Sequence, residues 1–127
     1  MSTLSFDPNA AAILLDAEIE AKIILHATVV LDTGASFVVL PWRIITGLGI
    51  RINPAKLVST TTPTTVESAP VVTIPQITIL GETVRNVACL VKDLPPKSGV
   101  DGLLGLSFLR HFNLNVDFVK GKLTLKR

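Results

Sequence analysis

The 127-residue chain has one cysteine, Cys89, and no tyrosine. A lone cysteine excludes an intrachain disulfide. Its place in the apolar run Val87-Ala88-Cys89-Leu90-Val91 reads as core, so a cytoplasmic setting is expected. Long apolar runs are missing as well, since none approaches the roughly 20 residues of a membrane-spanning helix. The first dozen residues carry Asp7 and Pro8 without a basic cluster, unlike a secretory or transit leader. A soluble chain with no membrane partner is therefore expected. The 12 Lys and Arg and 10 Asp and Glu are scattered, with a net charge of +2 and no phosphate-tracking face, so nucleic acid is not an expected partner. The two histidines, His26 and His111, stand apart from other ligand types, and no metal or cofactor is expected.

What is present is 48% hydrophobic residues, enough for one packed core and too few residues for two ordinary domains; a single domain over 1–127 is expected. Short runs rich in Val, Ile, Leu and Thr are punctuated by Gly, Pro or Asn every ten residues or so, the pattern of an all-β barrel or sandwich. Strands are expected near 12–20, 22–31, 37–40, 56–60, 66–73, 76–80, 83–91, 113–118 and 122–126. Glu20-Ala21-Lys22, Leu80-Gly81-Glu82 and Val119-Lys120-Gly121 read as hairpin turns. Two segments break the rhythm. Pro41 to Thr46 reads as a short helix with proline at its first position, and Leu104 to Phe112 has apolar residues at helical spacing. Trp42 reads as a staple between the first helix and the sheet, with cleft lining as the alternative. The polar stretch Ser59 to Thr65 reads as an exposed hairpin tip.

One feature carries chemistry. Val29-Val30-Leu31 runs straight into Asp32-Thr33-Gly34-Ala35-Ser36 and on into Phe37-Val38-Val39-Leu40, placing a carboxylate in a tight turn between two apolar strands. An ionised carboxylate away from water must be paired, hydrogen-bonded or neutralised. Gly34 supplies conformational freedom and close approach, and the Thr33 hydroxyl can lock the turn. Asp-Thr-Gly alone would pass for an ordinary turn. It gains weight from Asp101-Gly102-Leu103-Leu104-Gly105-Leu106-Ser107-Phe108-Leu109-Arg110 downstream. Ser36 beside Asp32 does not point to a serine hydrolase, because no Gly-x-Ser-x-Gly occurs and no base is nearby; a hydroxyl bonded within the loop is expected instead.

Over about residues 12 to 126 these paired elements resemble the retropepsin-like aspartic proteases, whose half-domain joins an apolar strand ending in Asp-Thr-Gly-Ala to a later Leu-Leu-Gly strand running into a short helix. The resemblance implies an acid-protease barrel half-domain that works as a two-fold dimer. It implies Asp32 as catalytic carboxylate, Thr33 bonding across the two-fold axis, Gly34 allowing close approach of the two loops, and Ala35 and Ser36 completing the active-site loop. Leu103, Leu104 and Gly105 would pass beneath the loop and contribute to subsite walls, and the flap around Thr61, Thr62, Pro63 and Thr64 would close over a peptide or protein substrate. Ser36 and Leu106 stand where viral members carry Asp and Arg, so that ion pair is absent and the likeness is to cellular and bacterial members. The flap segment has no glycine, and the flap tyrosine of two-lobed relatives is missing.

With one Asp-Thr-Gly and no Asp-Ser-Gly in the chain, the second carboxylate is expected from a second copy, since an isologous contact brings the same residue to itself. The expected activity is peptide-bond hydrolysis by a water held between Asp32 and its symmetry mate. A catalytically silent dimeric binding or scaffolding module is the alternative. Lys122 to Arg127, alternating as a strand, and Thr3 to Phe6 are candidate interface segments.

Overall fold

The computed structural model describes residues 2–61 and 66–127. Among the described residues ten strands run in the order β1 Ser2–Ser5, β2 Leu14–Glu20, β3 Ile24–Leu31, β4 Val38–Leu40, β5 Leu57–Thr61, β6 Val66–Ile79, β7 Glu82–Val91, β8 Gly102–Leu104, β9 Asn113–Asp117 and β10 Lys122–Lys126. Among the described residues two short α-helices, α1 Trp42–Gly47 and α2 Leu106–Leu109, follow β4 and β8, and a single 3-10 turn, Pro96–Ser98, lies between β7 and β8. The larger sheet has the order β2-β3-β8-β4-β7-β6-β5, and pairing of β2 with β6 closes six of its strands into a barrel. Strands β1, β10 and β9 form a separate antiparallel sheet.

The barrel wall follows from alternation. Along β2, Leu15, Ala17 and Ile19 are buried while their neighbours are less so, as a strand with one face on the core requires. The β6–β7 connection is a hairpin turn within the expected Leu80-Gly81-Glu82, with Glu82 already in β7; Leu80 and Gly81 have φ of 51° and 75°, the positive pair of a primed turn that matches strand twist. Ala21 donates to the Ile23 carbonyl (3.0 Å) in the β2–β3 turn.

Where two strands were expected at 66–73 and 76–80, there is one. β6 runs unbroken past Pro75, and its register to β7 is the same on both sides, Ile74 facing Val87 and Gln76 facing Arg85. The pair omitted is Pro75 opposite Asn86, where proline has no N–H to give and Asn86 sits at φ 55°. Both strands change inward face at that point, from Val72 and Ile74 to Ile77 and Ile79, and from Val84 to Val87 and Cys89. The break in alternation is what mimics two strands. Two further elements lay outside the expected strand list. β8 has three residues and too little length for any periodicity, and β1 pairs with β10 in register Ser2 to Leu125. The two terminal segments named above thus meet each other within one chain.

One core cluster fills the barrel, with Phe108 and Leu109 of α2 and Ile44 and Ile45 of α1 plugging it. Phe108 is fully buried, worth about 1.5–3 kcal/mol of transfer free energy. The α1 staple is therefore Ile44 and Ile45. Trp42 is 43% exposed and packs otherwise than expected. A second, smaller cluster of Val39, Ala69 and Leu90 lies outside the main core, with Phe37, Val58, Val71, Leu94 and Leu103 packed on it. No polar or charged side chain is buried among the described residues.

Cys89 lies within the core, and burial pushes its thiol up to about 12 against a smaller opposing effect of a backbone hydrogen bond with Leu40. The folded chain thus keeps a proton that the unfolded chain loses, so this residue's contribution to stability is full below about pH 9 and falls as pH rises toward 12. At pH 8 a maleimide should label Cys89 only at the rate of unfolding, rising with denaturant in step with loss of circular dichroism. Rapid labelling of the folded protein would contradict the burial.

Candidate active site

β3 ends at Leu31, held by an N–H bond to the Ile13 carbonyl (2.9 Å), and the next residue, Asp32, donates its own N–H to the Leu104 carbonyl (3.0 Å). The chain then turns at once. Ala35 N–H donates to the Asp32 carbonyl (3.2 Å), and Asp32 Oδ1 accepts the Gly34 N–H (2.9 Å), so the carboxylate caps its own turn. Asp32 is half-buried, whereas Thr33, Gly34 and Ser36 are exposed. Gly34 is not in the left-handed region. Its constraint is proximity, because a Cβ there would lie 3.2 Å from Asp32 Oδ1.

The Asp101–Arg110 element supports this turn from below. β8 runs parallel to β3 with Val30 facing Leu103 and Leu31 facing Leu104, and antiparallel to β4 with Val39 facing Leu103. From the start of α2, Leu106 donates to the Ala35 carbonyl (2.8 Å) and Ser107 to the Ser36 carbonyl (3.0 Å). Gly105 fits because a Cβ would stand 2.1 Å from the Phe37 carbonyl oxygen and 2.7 Å from that of Ala35. The loop is thus fixed through its backbone, leaving the Asp32 carboxylate and the Thr33 hydroxyl at an open face.

Side-chain alternation divides the Leu-Leu-Gly segment. Leu103 lines a cleft of about 390 Å³ beside the loop. Leu104 points the other way and is 1% exposed, within the main core, so it and Gly105 support the loop and form no subsite wall. Ala35, Phe37, Val39, Val58 and Leu90 line the same cleft, which is therefore mainly apolar. Val58 comes from β5, whose pairing with β6, from Leu57 facing Pro70 to Thr61 facing Val66, makes the hairpin that borders the cleft. Thr62, Pro63 and Thr64 lie outside the described residues.

Ser36 makes no side-chain hydrogen bond among the described residues and faces the cleft, contrary to the bonded hydroxyl expected. That task falls to Ser107, whose Oγ accepts the Val38 N–H (2.8 Å) and donates to the Ala88 carbonyl (2.7 Å), tying β4 to β7. Asp101 was also missed. Its Oδ2 accepts the Thr28 N–H (2.8 Å) while Oδ1 pairs with Arg43, pinning the entry of β8 to β3. The signal for both was position, since each flanks Leu103-Leu104-Gly105, but their partners lie some 60 to 75 residues away for Asp101 and no local pattern names them. No grouping of three or more His, Cys, Asp or Glu suited to a metal occurs among the described residues.

A family model described as aspartyl protease matches residues 15–108. Among solved structures the chain is similar to a retropepsin-like aspartic protease from Rickettsia conorii, with a TM-score of 0.68 and 24% identity over 97% of this chain and 87% of the other. No curated protein sequence matches the chain.

Proposed function

The chain belongs to the aspartyl protease family and has a retropepsin-like fold, and from that premise we propose that it is an endopeptidase whose active site assembles between two copies, each contributing Asp32. The observation that carries the proposal is the Asp32–Ala35 turn. It is braced from beneath by Leu104, Leu106 and Ser107, yet presents Asp32 and an exposed Thr33 at an open face beside an apolar cleft. A single carboxylate cannot perform this chemistry, which in aspartic proteases generally needs two sharing one proton.

In the assembled site the ionised member of the pair accepts a proton from a water held between both, and that water attacks the scissile carbonyl. The protonated member donates to the developing oxyanion, so no covalent intermediate forms. Gly34 lets the two loops approach, Thr33 bonds across the axis, and Ala35 and Leu103 lie against the peptide. The β5–β6 hairpin covers the substrate, which enters as an extended strand with apolar side chains at the scissile bond. A second copy as partner is supported by the surface next to Thr33. There Phe6, Ile13, Leu31, Val116 and Phe118 line a hollow of about 400 Å³, and Phe118 and Val119 are 65% and 91% exposed. A patch of this kind suits a protein–protein contact.

The test is a mixed peptide library at several pH values between about 3 and 7, with and without a statine-type transition-state analogue. Cleavage blocked by the analogue is expected, with a bell-shaped pH profile, because one carboxylate must be charged and the other neutral. Specific activity should rise with protein concentration as dimers form. Concentration-independent activity from a monomer would overturn the shared site, and a confirmed dimer that cleaves nothing would make the chain a silent binding module.

A further inference from the structure

A second groove, of about 670 Å³, lies outside the Asp32 loop, between α1 and the segment that leads from β7 to β8. We propose that it is a distal subsite for the substrate's own flanking chain, selecting a stretch that carries proline or aromatic rings and rejecting an acidic one; this rests on the endopeptidase reading above. Leu94 joins the two sites, since it lines both this groove and the cleft beside Ala35 and Phe37. An extended peptide leaving the cleft on that side passes Leu94 into the groove.

The lining says what kind of chain fits. Trp42 presents a half-exposed indole beside Pro41, Pro95, Pro96 and Val100, a wall of rings and apolar surface. Grooves walled by aromatic and proline rings suit chains that are themselves stiff and ring-bearing, because little conformational freedom is lost on docking. The polar groups at the rim are committed to the protein. Asp93 Oδ1 accepts the Trp42 N–H (3.0 Å), Asp101 accepts from Thr28 (2.8 Å), and Arg43 is paired with Asp101. They hold the shape of the groove, and two carboxylates against one guanidinium leave it unwelcoming to an acidic side chain. This accounts for Trp42, which neither staples α1 nor reaches the Asp32 cleft.

Three peptides test it: a short one filling only the cleft, and the same one lengthened at each end by about six residues, roughly 20 Å of extended chain, with flanks of either Pro and Phe or Gly and Ser. The ring-bearing flanks should raise kcat/KM about tenfold over Gly and Ser, mainly through KM. In Trp42→Ala that advantage should vanish while the short peptide keeps activity within about twofold. Equal losses on short and long peptides, or no advantage from rings in the wild type, would overturn the subsite. An independent readout avoids catalysis altogether. Trp42 is the only tryptophan, so in Asp32→Asn protein its emission should shift saturably with the ring-flanked peptide and not with the short one. If nothing is cleaved but the emission shifts, the endopeptidase reading fails and the groove stands. If cleavage occurs and the emission stays unmoved, the groove fails alone.

Discussion

Replacing Asp32 by Asn is expected to lower kcat/KM for peptide cleavage by about a thousandfold or more while leaving the fold intact. The amide cannot take a proton from the attacking water, and symmetry removes both carboxylates, the base and the acid, at once. The local geometry should survive, because Oδ1 of Asn can still accept the Gly34 N–H now held at 2.9 Å by Asp32. Melting temperature and far-UV circular dichroism should stay close to those of the wild type. Mixing gives a sharper form of the same prediction. If the site is shared, equal amounts of wild-type and Asp32→Asn chains should leave about half the activity per wild-type chain, since about half of those chains then sit in mixed dimers. Activity simply proportional to the wild-type chains present would mean that one chain suffices, and cleavage surviving in pure Asp32→Asn would remove Asp32 from the mechanism.

What could be read in advance follows from the range of the interactions concerned. The apolar strand into Asp32-Thr33-Gly34 and the Leu103-Leu104-Gly105 element are contiguous signals, as are the alternating runs of β2 and β10. The division of labour inside Leu103-Leu104-Gly105 was not legible, because which of two leucines faces a cleft depends on the parallel register of β8 to β3 and not on either residue's type. The same holds for the hydroxyls. Ser36 and Ser107 are both serines next to the site, and only the fold decides that Ser107 Oγ lies between Val38 and Ala88. Trp42 misled for a related reason. A tryptophan beside a short amphipathic helix suggests burial, but α1 has only six residues and Ile44 and Ile45 already occupy its inner face. At Pro75 a proline coincides with a break in alternation, which locally resembles a strand end, yet both strands of the ladder change face together and keep register.

Gly105→Ala should cost about 3 kcal/mol or more of stability and lower the melting temperature by about 10 °C or more on the usual scale for a domain of this size. A Cβ at 105 would meet the Phe37 carbonyl at 2.1 Å and the Ala35 carbonyl at 2.7 Å, and both are backbone atoms that cannot rotate away. Relief requires moving the segment 35–37, and with it the Ala35 carbonyl that accepts from Leu106 and the Ser36 carbonyl that accepts from Ser107. Two controls separate this from a general intolerance of added methyl groups. Gly47→Ala meets only the Leu25 Cδ1 at 3.2 Å, the end of a flexible side chain, and should cost less than about 1 kcal/mol. Gly102→Ala meets the Val39 carbonyl at 1.9 Å and should destabilise as severely, but its clash lies on β4 rather than on the loop. At a temperature where both variants remain folded by circular dichroism, Gly105→Ala should therefore show the greater fall in kcat per folded chain. If the two lose activity only in proportion to the fraction unfolded, Gly105 serves stability alone, and the support of the Asp32 loop from beneath has no direct bearing on catalysis.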